Sequence, residues 1–314
     1  MLTTVLNPKN NKVFYLAVLI LVLFGNTVSG QSQRIIEAET ILKTIQKKKP
    51  IYLENITIEG DLDFTRLKAN PESKTLSRVM ISSPVYFQNC RFKGKIIGFA
   101  ERNNVQVASS FESNLSFYNC TFFDEILLSG ALVRTALVFE LSKLHGELHL
   151  ENTVIGHDAN FSGVIFGRKV FFQNAVFRKN TYFNKSIFNE IAHFQSCKWE
   201  GEAIFRETEF RENADFSLQK TFSPMSFNFS NFKKAVFFEG SRFGDDFEID
   251  HVSAERILLS GCQFWQKLHF DDLKSKEIHF TDAIFYTYFP DFSKIMNSEA
   301  FLEQSGIRYL GRLK

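Results

Sequence analysis

The feature that most constrains this chain is a run of bulky residues at alternating steps of five and six: Phe161, Phe166, Phe172, Phe177, Phe183, Phe188, Phe194, Trp199, Phe205, Phe210 and Phe216. The true period is therefore eleven. It extends backward through Ile155, Leu150, Leu144, Phe139, Val133, Leu128, Phe122 and Phe117, and forward through Phe227, Phe232, Phe238, Phe243 and Ile249. It resumes with altered spacing at Leu259, Phe264, Phe270, Phe280 and Phe285. A repeated slot for one large side chain explains why the chain holds 37 Phe but only 2 Trp and 4 Met.

Two positions before each bulky residue stands a small or β-branched one, as in Ala159, Val164, Val170, Ala175, Thr181, Ser186, Ala192, Cys197, Ala203, Thr208 and Ala214. Residues two apart share one face of an extended chain, so each large and small pair points the same way. The residues around them, such as Asn160, Arg168, Lys179, Glu207 and Asp215, are polar. Short strands with a corner every five or six residues describe a narrow solenoid with stacked coils.

The segments Ala159-Asn160-Phe161 and Ala214-Asp215-Phe216, with Ala203-Ile204-Phe205 more loosely, resemble the unit of the pentapeptide-repeat family. The resemblance covers most of residues 51–285 and implies an all-β fold: a right-handed parallel β-helix of quadrilateral section, four short faces per coil, with the large and small residues filling the interior. Strict members step by five, whereas this chain alternates five and six, which gives 22 residues per coil if four slots make one turn. Eight to ten coils would make a rod on the order of 40 to 50 Å long.

The expected organisation has four parts. Residues 1–30 read as a cleaved signal peptide, with Lys9 and Lys12 ahead of the apolar stretch Val13 to Phe24 and small residues Val28-Ser29-Gly30 before Gln31. Residues 31–50 read as a capping helix, carrying Ile35, Ile36, Ala38, Ile41, Leu42 and Ile45 on one side and Lys47, Lys48 and Lys49 near its carboxyl end. Residues 51–285 form the solenoid, and residues 286–314 a C-terminal helical cap that could also make a homodimer contact. Three stretches break the repeat: 66–83, 93–110 and 218–226.

Removal of the first thirty residues takes away two lysines and no acid, leaving 35 basic against 35 acidic residues. This neutral balance carries no footprint for nucleic acid. It also differs from the acidic rods of the family's cytoplasmic DNA mimics, which bind topoisomerase.

Few residues offer chemistry. All four cysteines occupy the inward small slot, so their spacing follows the repeat and not a metal motif. Cys90 and Cys120 lie in matching segments, Phe87 to Phe92 and Phe117 to Phe122, and stacking on adjacent coils would bring them within disulfide range. One outward row should read His149, Phe171, His193, Asp215, Phe237, and its exposed rings suggest a contact strip for a partner or a sugar. His149 and His193 fall two coils apart, too far to share a metal. Sequons at Asn55, Asn114, Asn119, Asn160, Asn184 and Asn228 arise from the repeat itself. No familiar catalytic fingerprint occurs.

These observations lead to the expectation of a non-enzymatic scaffold, exported to the periplasm or secreted, without cofactor, metal or stable membrane span, that binds a protein partner. The alternative is a β-helix that binds or cleaves carbohydrate.

Overall fold

The computed structural model describes residues 34–293 and 301–311. The signal-peptide segment lies outside them. The described chain is nearly all parallel β-structure, a solenoid of about twelve turns with 5% helix.

A coil from the middle of the chain shows the construction. Lys143–Leu144 lies on the first face, Leu148–His149 on the second, Val154–Ile155 on the third and Ala159–Asn160 on the fourth, before Ile165–Phe166 returns to the first. Lys143 then pairs with Ile165, a step of 22 residues, and every neighbouring strand in this region repeats it in parallel register. Four faces per coil make the section quadrilateral, as the resemblance implied. The step shortens to 21 residues from the pairing of Ala235 with Arg256 and lengthens to 24 where Glu277 pairs with Phe301 and Ile284 with Arg308. With about twelve turns, the rod is on the order of 55 Å long, longer than the count of regular slots suggests.

The bulky slots form columns of rings along the axis. Phe161, Phe183, Phe205 and Phe227 stack at 4.8, 4.6 and 4.6 Å, and Phe172, Phe194 and Phe216 at 4.6 and 4.5 Å. Rings of the two columns meet edge to face, Phe183 and Phe194 at 88°. This is the preferred geometry between ring faces and edges, and full burial of each phenyl group contributes about 1.5–3 kcal/mol.

The small slots do more than fill space. Ser142, Ser186, Ser230 and Ser241 each donate a buried side-chain hydrogen bond to the carbonyl of the bulky residue 25 positions earlier, on the coil below; Thr153, Thr208, Cys197 and Gln219 do the same. Corners facing these slots need a left-handed residue. Positive φ accordingly recurs every eleven residues, at Asn152, Gly163, Asn174, Lys185, Ser196, Glu207, Leu218 and Phe229. Asn and Gly tolerate this conformation; Leu218 and Phe229 are held in it by the surrounding coils.

Several expectations need correction. The N-terminal helix is shorter than its apolar pattern implies: Arg34–Glu37 is a strand paired in register with Ile56–Glu59, and the helix spans Ala38–Gln46, burying Ala38, Ile41, Leu42 and Ile45. Strand pairing with the first coil wins over helical periodicity for the first four residues. Residues 218–226 are no break at all. Lys220–Thr221 and Met225–Ser226 continue the 22-residue register, with Thr221 in a bulky slot. At the other end, Phe301–Glu303 and Arg308–Tyr309 pair in parallel with Lys274–His279 and Ile284–Phe285. The solenoid thus runs past residue 285, and the described part of 301–311 carries strands where a helical cap was expected. Residues 294–300 and 312–314 lie outside the described set.

The stretches 66–83 and 93–110 do leave the repeat, and they do so together. Ala69–Pro71 with Leu76–Ile81, and Phe99–Arg102 with Val105–Phe111, form two antiparallel hairpins. The hairpins stack through the parallel pairing of Gln106–Phe111 with Leu76–Ile81 and widen the third face near the N-terminal end.

Candidate functional site

The outward row anticipated on the second face is present. Register aligns His149 with Phe171, Phe171 with His193, His193 with Asp215 and Asp215 with Phe237. The row is longer than the five residues recognised in the sequence: Ile97 and Leu127 precede them, and Leu258 and His279 follow. Each alternates with an inward neighbour on its strand, which is why the side chains face out while remaining half-buried between adjacent coils. At the N-terminal end the row begins at Asp63, aligned with Ile97 and closed by Arg102, whose Nη2 donates to Asp63 Oδ2 at 3.1 Å and Thr65 Oγ1 at 3.0 Å.

The centre of the row is a stack. The imidazole of His149 lies on the Phe171 ring at 4.6 Å, and Phe171 lies on His193 at 5.1 Å with planes 6° apart. His149 is held by Glu151 at 3.1 Å through Nδ1 and Glu147 at 3.2 Å through Nε2. The hydrogen bond with Glu151, opposed by burial and reinforced by Glu147, holds its pKa above the ordinary value. His193 behaves oppositely: burial lowers its pKa despite the charge of Asp215. The carboxylate of Asp215 is not on His193 at all, because Gln195 Nε2 stands between them, 2.6 Å from Asp215 Oδ2 and 3.3 Å from His193 Nδ1. Asp215 Oδ1 accepts from the Ser217 amide and hydroxyl. His193, Gln195, Asp215 and Ser217 therefore form one fixed surface network.

Among the described residues no group of three or more His, Cys, Asp or Glu could hold a metal ion. Cys90 and Cys120 do sit on adjacent coils, since Arg91 aligns with Thr121, but all four cysteines are free and buried. Cys90 Sγ points to the carbonyls of Leu53 at 3.4 Å and Gln88 at 3.3 Å; Cys120 Sγ points to Phe87 at 3.6 Å and Tyr118 at 3.4 Å. Burial raises the pKa of Cys120, Cys197 and Cys262, which makes them poor nucleophiles.

Asn55, Asn114, Asn119, Asn160 and Asn228, all in sequons, make side-chain hydrogen bonds. Asn55, Asn89 and Asn119 occupy left-handed corners on successive coils, and their amides form a ladder of 3.2 and 2.7 Å.

A second surface feature lies on the third face, hidden in the sequence by the lapse of the apolar pattern at residues 218–226. The position after each bulky slot here reads Phe222, Gly244, Trp265, Tyr286 on successive coils, and these residues line a groove of about 680 Å³ with Lys220, Arg242, Gln266 and Thr287. Placing Thr221 in the eleven-residue series would have aligned Phe222 with Trp265 and Tyr286.

No protein-family model, curated protein or solved structure matches the chain. What can be said of its activity rests on the geometry above.

Proposed function

We propose that this chain is a non-enzymatic scaffold of the pentapeptide-repeat type, exported to the periplasm or secreted, whose rigid second face binds a protein partner. The observation that carries this reading is the outward row from Ile97 to His279, in which apolar and aromatic side chains recur on successive coils with fixed spacing. Stacked, half-buried rings lose little freedom on binding, so such a surface is pre-organised for a flat contact. Asp215 and the Glu147–His149–Glu151 cluster supply polar groups along the same line. Export follows from the n-region, apolar stretch and small residues of the first thirty positions.

The test is photo-crosslinking from position 171 or 237 of the chain in envelope extract, with position 204 on the fourth face as the comparison. A discrete adduct formed from 171 and 237, absent from 204 and abolished by His193→Glu, is the expected result. Equal labelling from all three positions would defeat the assignment of the second face.

A further inference from the structure

We infer that the Gly244 step of the third face is a binding slot for one residue of an acidic glycan. The slot is a missing rung. Phe222, Trp265 and Tyr286 stand on the same outward row, and glycine occupies the coil between the first two. No side chain can replace it without movement of the main chain, because a Cβ there would lie 2.6 Å from the Thr221 carbonyl oxygen. Two coil steps separate Phe222 from Trp265, roughly 9.6 Å, so one six-membered ring has room between them at the spacing of one coil on either side.

Among the described residues neither ring stacks on another across this gap. The Lys198 ammonium lies over the Phe222 ring, 5.3 Å from its centroid, and Lys198 belongs to the coil below. Trp265 has Tyr286 stacked on its far side at 4.1 Å and 6°. Phe222 is 60% exposed and Trp265 47%.

The rim selects the kind of ring. Lys220, Arg242 and Gln266 bring hydrogen-bonding groups to the groove, while Thr287 Oγ1 already donates to the Trp265 carbonyl at 2.6 Å. An aromatic side chain from a protein would make no hydrogen bond to Lys220, Arg242 or Gln266. A pyranose fits both parts, with C–H bonds on its faces for the two aromatic rings and hydroxyls at its edge for the rim. Lys220 and Arg242 pair with each other in the ladder as like charges, and neither makes a salt bridge among the described residues. A carboxylate or sulfate on the sugar would answer them, with the guanidinium able to engage it through two parallel bonds. This site shares no residue with the second-face row, so it stands or falls separately from the protein-binding role.

The experiment titrates the full chain with three size-matched glycans, an oligo-alginate, a heparin oligosaccharide and neutral dextran, by calorimetry and tryptophan fluorescence. Trp199 is sealed in the core, so a change in emission reports on Trp265. The expected result is saturable binding of at least one acidic glycan with a shift in Trp265 emission and none with dextran. Phe222→Ala and Arg242→Glu, both on exposed side chains, should each weaken binding tenfold or more, and Phe171→Ala should leave it unchanged. The inference is overturned if neither acidic glycan binds, if dextran binds equally, if binding survives Phe222→Ala and Arg242→Glu, or if Phe171→Ala abolishes it. Tighter binding of an acidic tyrosine-containing peptide than of either glycan would overturn it too.

Discussion

Replacing Gln219 by leucine tests whether the small slots bind the coils together or merely fill them. Gln219 is 1% exposed, and its amide bonds two groups of the coil below. Its Oε1 accepts from Trp199 Nε1 at 2.6 Å, and its Nε2 donates to the Phe194 carbonyl at 2.5 Å. Leucine is close in volume but leaves the indole N–H without a partner in a site closed to water. An orphaned buried donor costs about 1–3 kcal/mol, whereas Phe194 oxygen keeps the Cys197 amide at 3.3 Å and suffers less. A loss near 2 kcal/mol is therefore expected, read as a lower urea midpoint by far-ultraviolet circular dichroism. The decisive comparison is Gln219→Leu in a Trp199→Phe background, where no indole N–H remains to be orphaned. There the same substitution should cost at least about 1 kcal/mol less, a coupling within the usual range for residues in contact. An unchanged midpoint for the single variant, or strict additivity in the pair, would refute the reasoning.

Two further predictions concern groups already placed. His149 should titrate above 6.5 and His193 below it in the folded chain, followed through their ring protons by nuclear magnetic resonance, and Glu151→Gln should bring His149 down. For His149 the raised folded pKa stabilises the fold at pH below the unfolded value, and that contribution disappears as pH rises through the folded pKa; for His193 the sign reverses, and stability falls as pH drops below the unfolded value. Mild oxidation should link Cys90 to Cys120 and lower the free thiol count from four to two, since Cys197 and Cys262 lie three coils apart; a count that stays at four, or an adduct joining other cysteines, would show that the two buried thiols cannot reach each other.

The interior of this protein was legible because every coil repeats the same demand. A bulky residue and a small one two positions apart recur so often that period, strand direction and the outward row all follow from them. The misreadings fell where one coil compensates for another. Thr221 occupies a bulky slot above Trp199, with Gln219 beside it bonding the indole, and the apolar series lapses at that point only when each slot is judged alone. The aromatic groove was hidden by the same lapse. Arg34–Glu37 went astray for a different reason: Ile35 and Ile36 suit a helix locally, and only the pairing with Ile56–Glu59, twenty-two residues later, makes them a strand. The polar role of the small slots could not be seen at all, because Ser, Thr and Cys look like filler until the carbonyl 25 positions back is known to lie within reach.

The 22-residue coil that holds through the middle of the chain also makes this molecule a ruler. Position along the axis is counted in whole coils, and direction around it is fixed by which of the four faces a residue occupies. Phe171 and Phe222 therefore stand on different sides, a set number of graduations apart. Adding or removing a unit of 22 residues between them would change that separation by one graduation, about 4.8 Å, without turning either surface to face a new way. Anything bound at both places would be held at a distance that the length of the chain, and not the flexibility of a linker, decides.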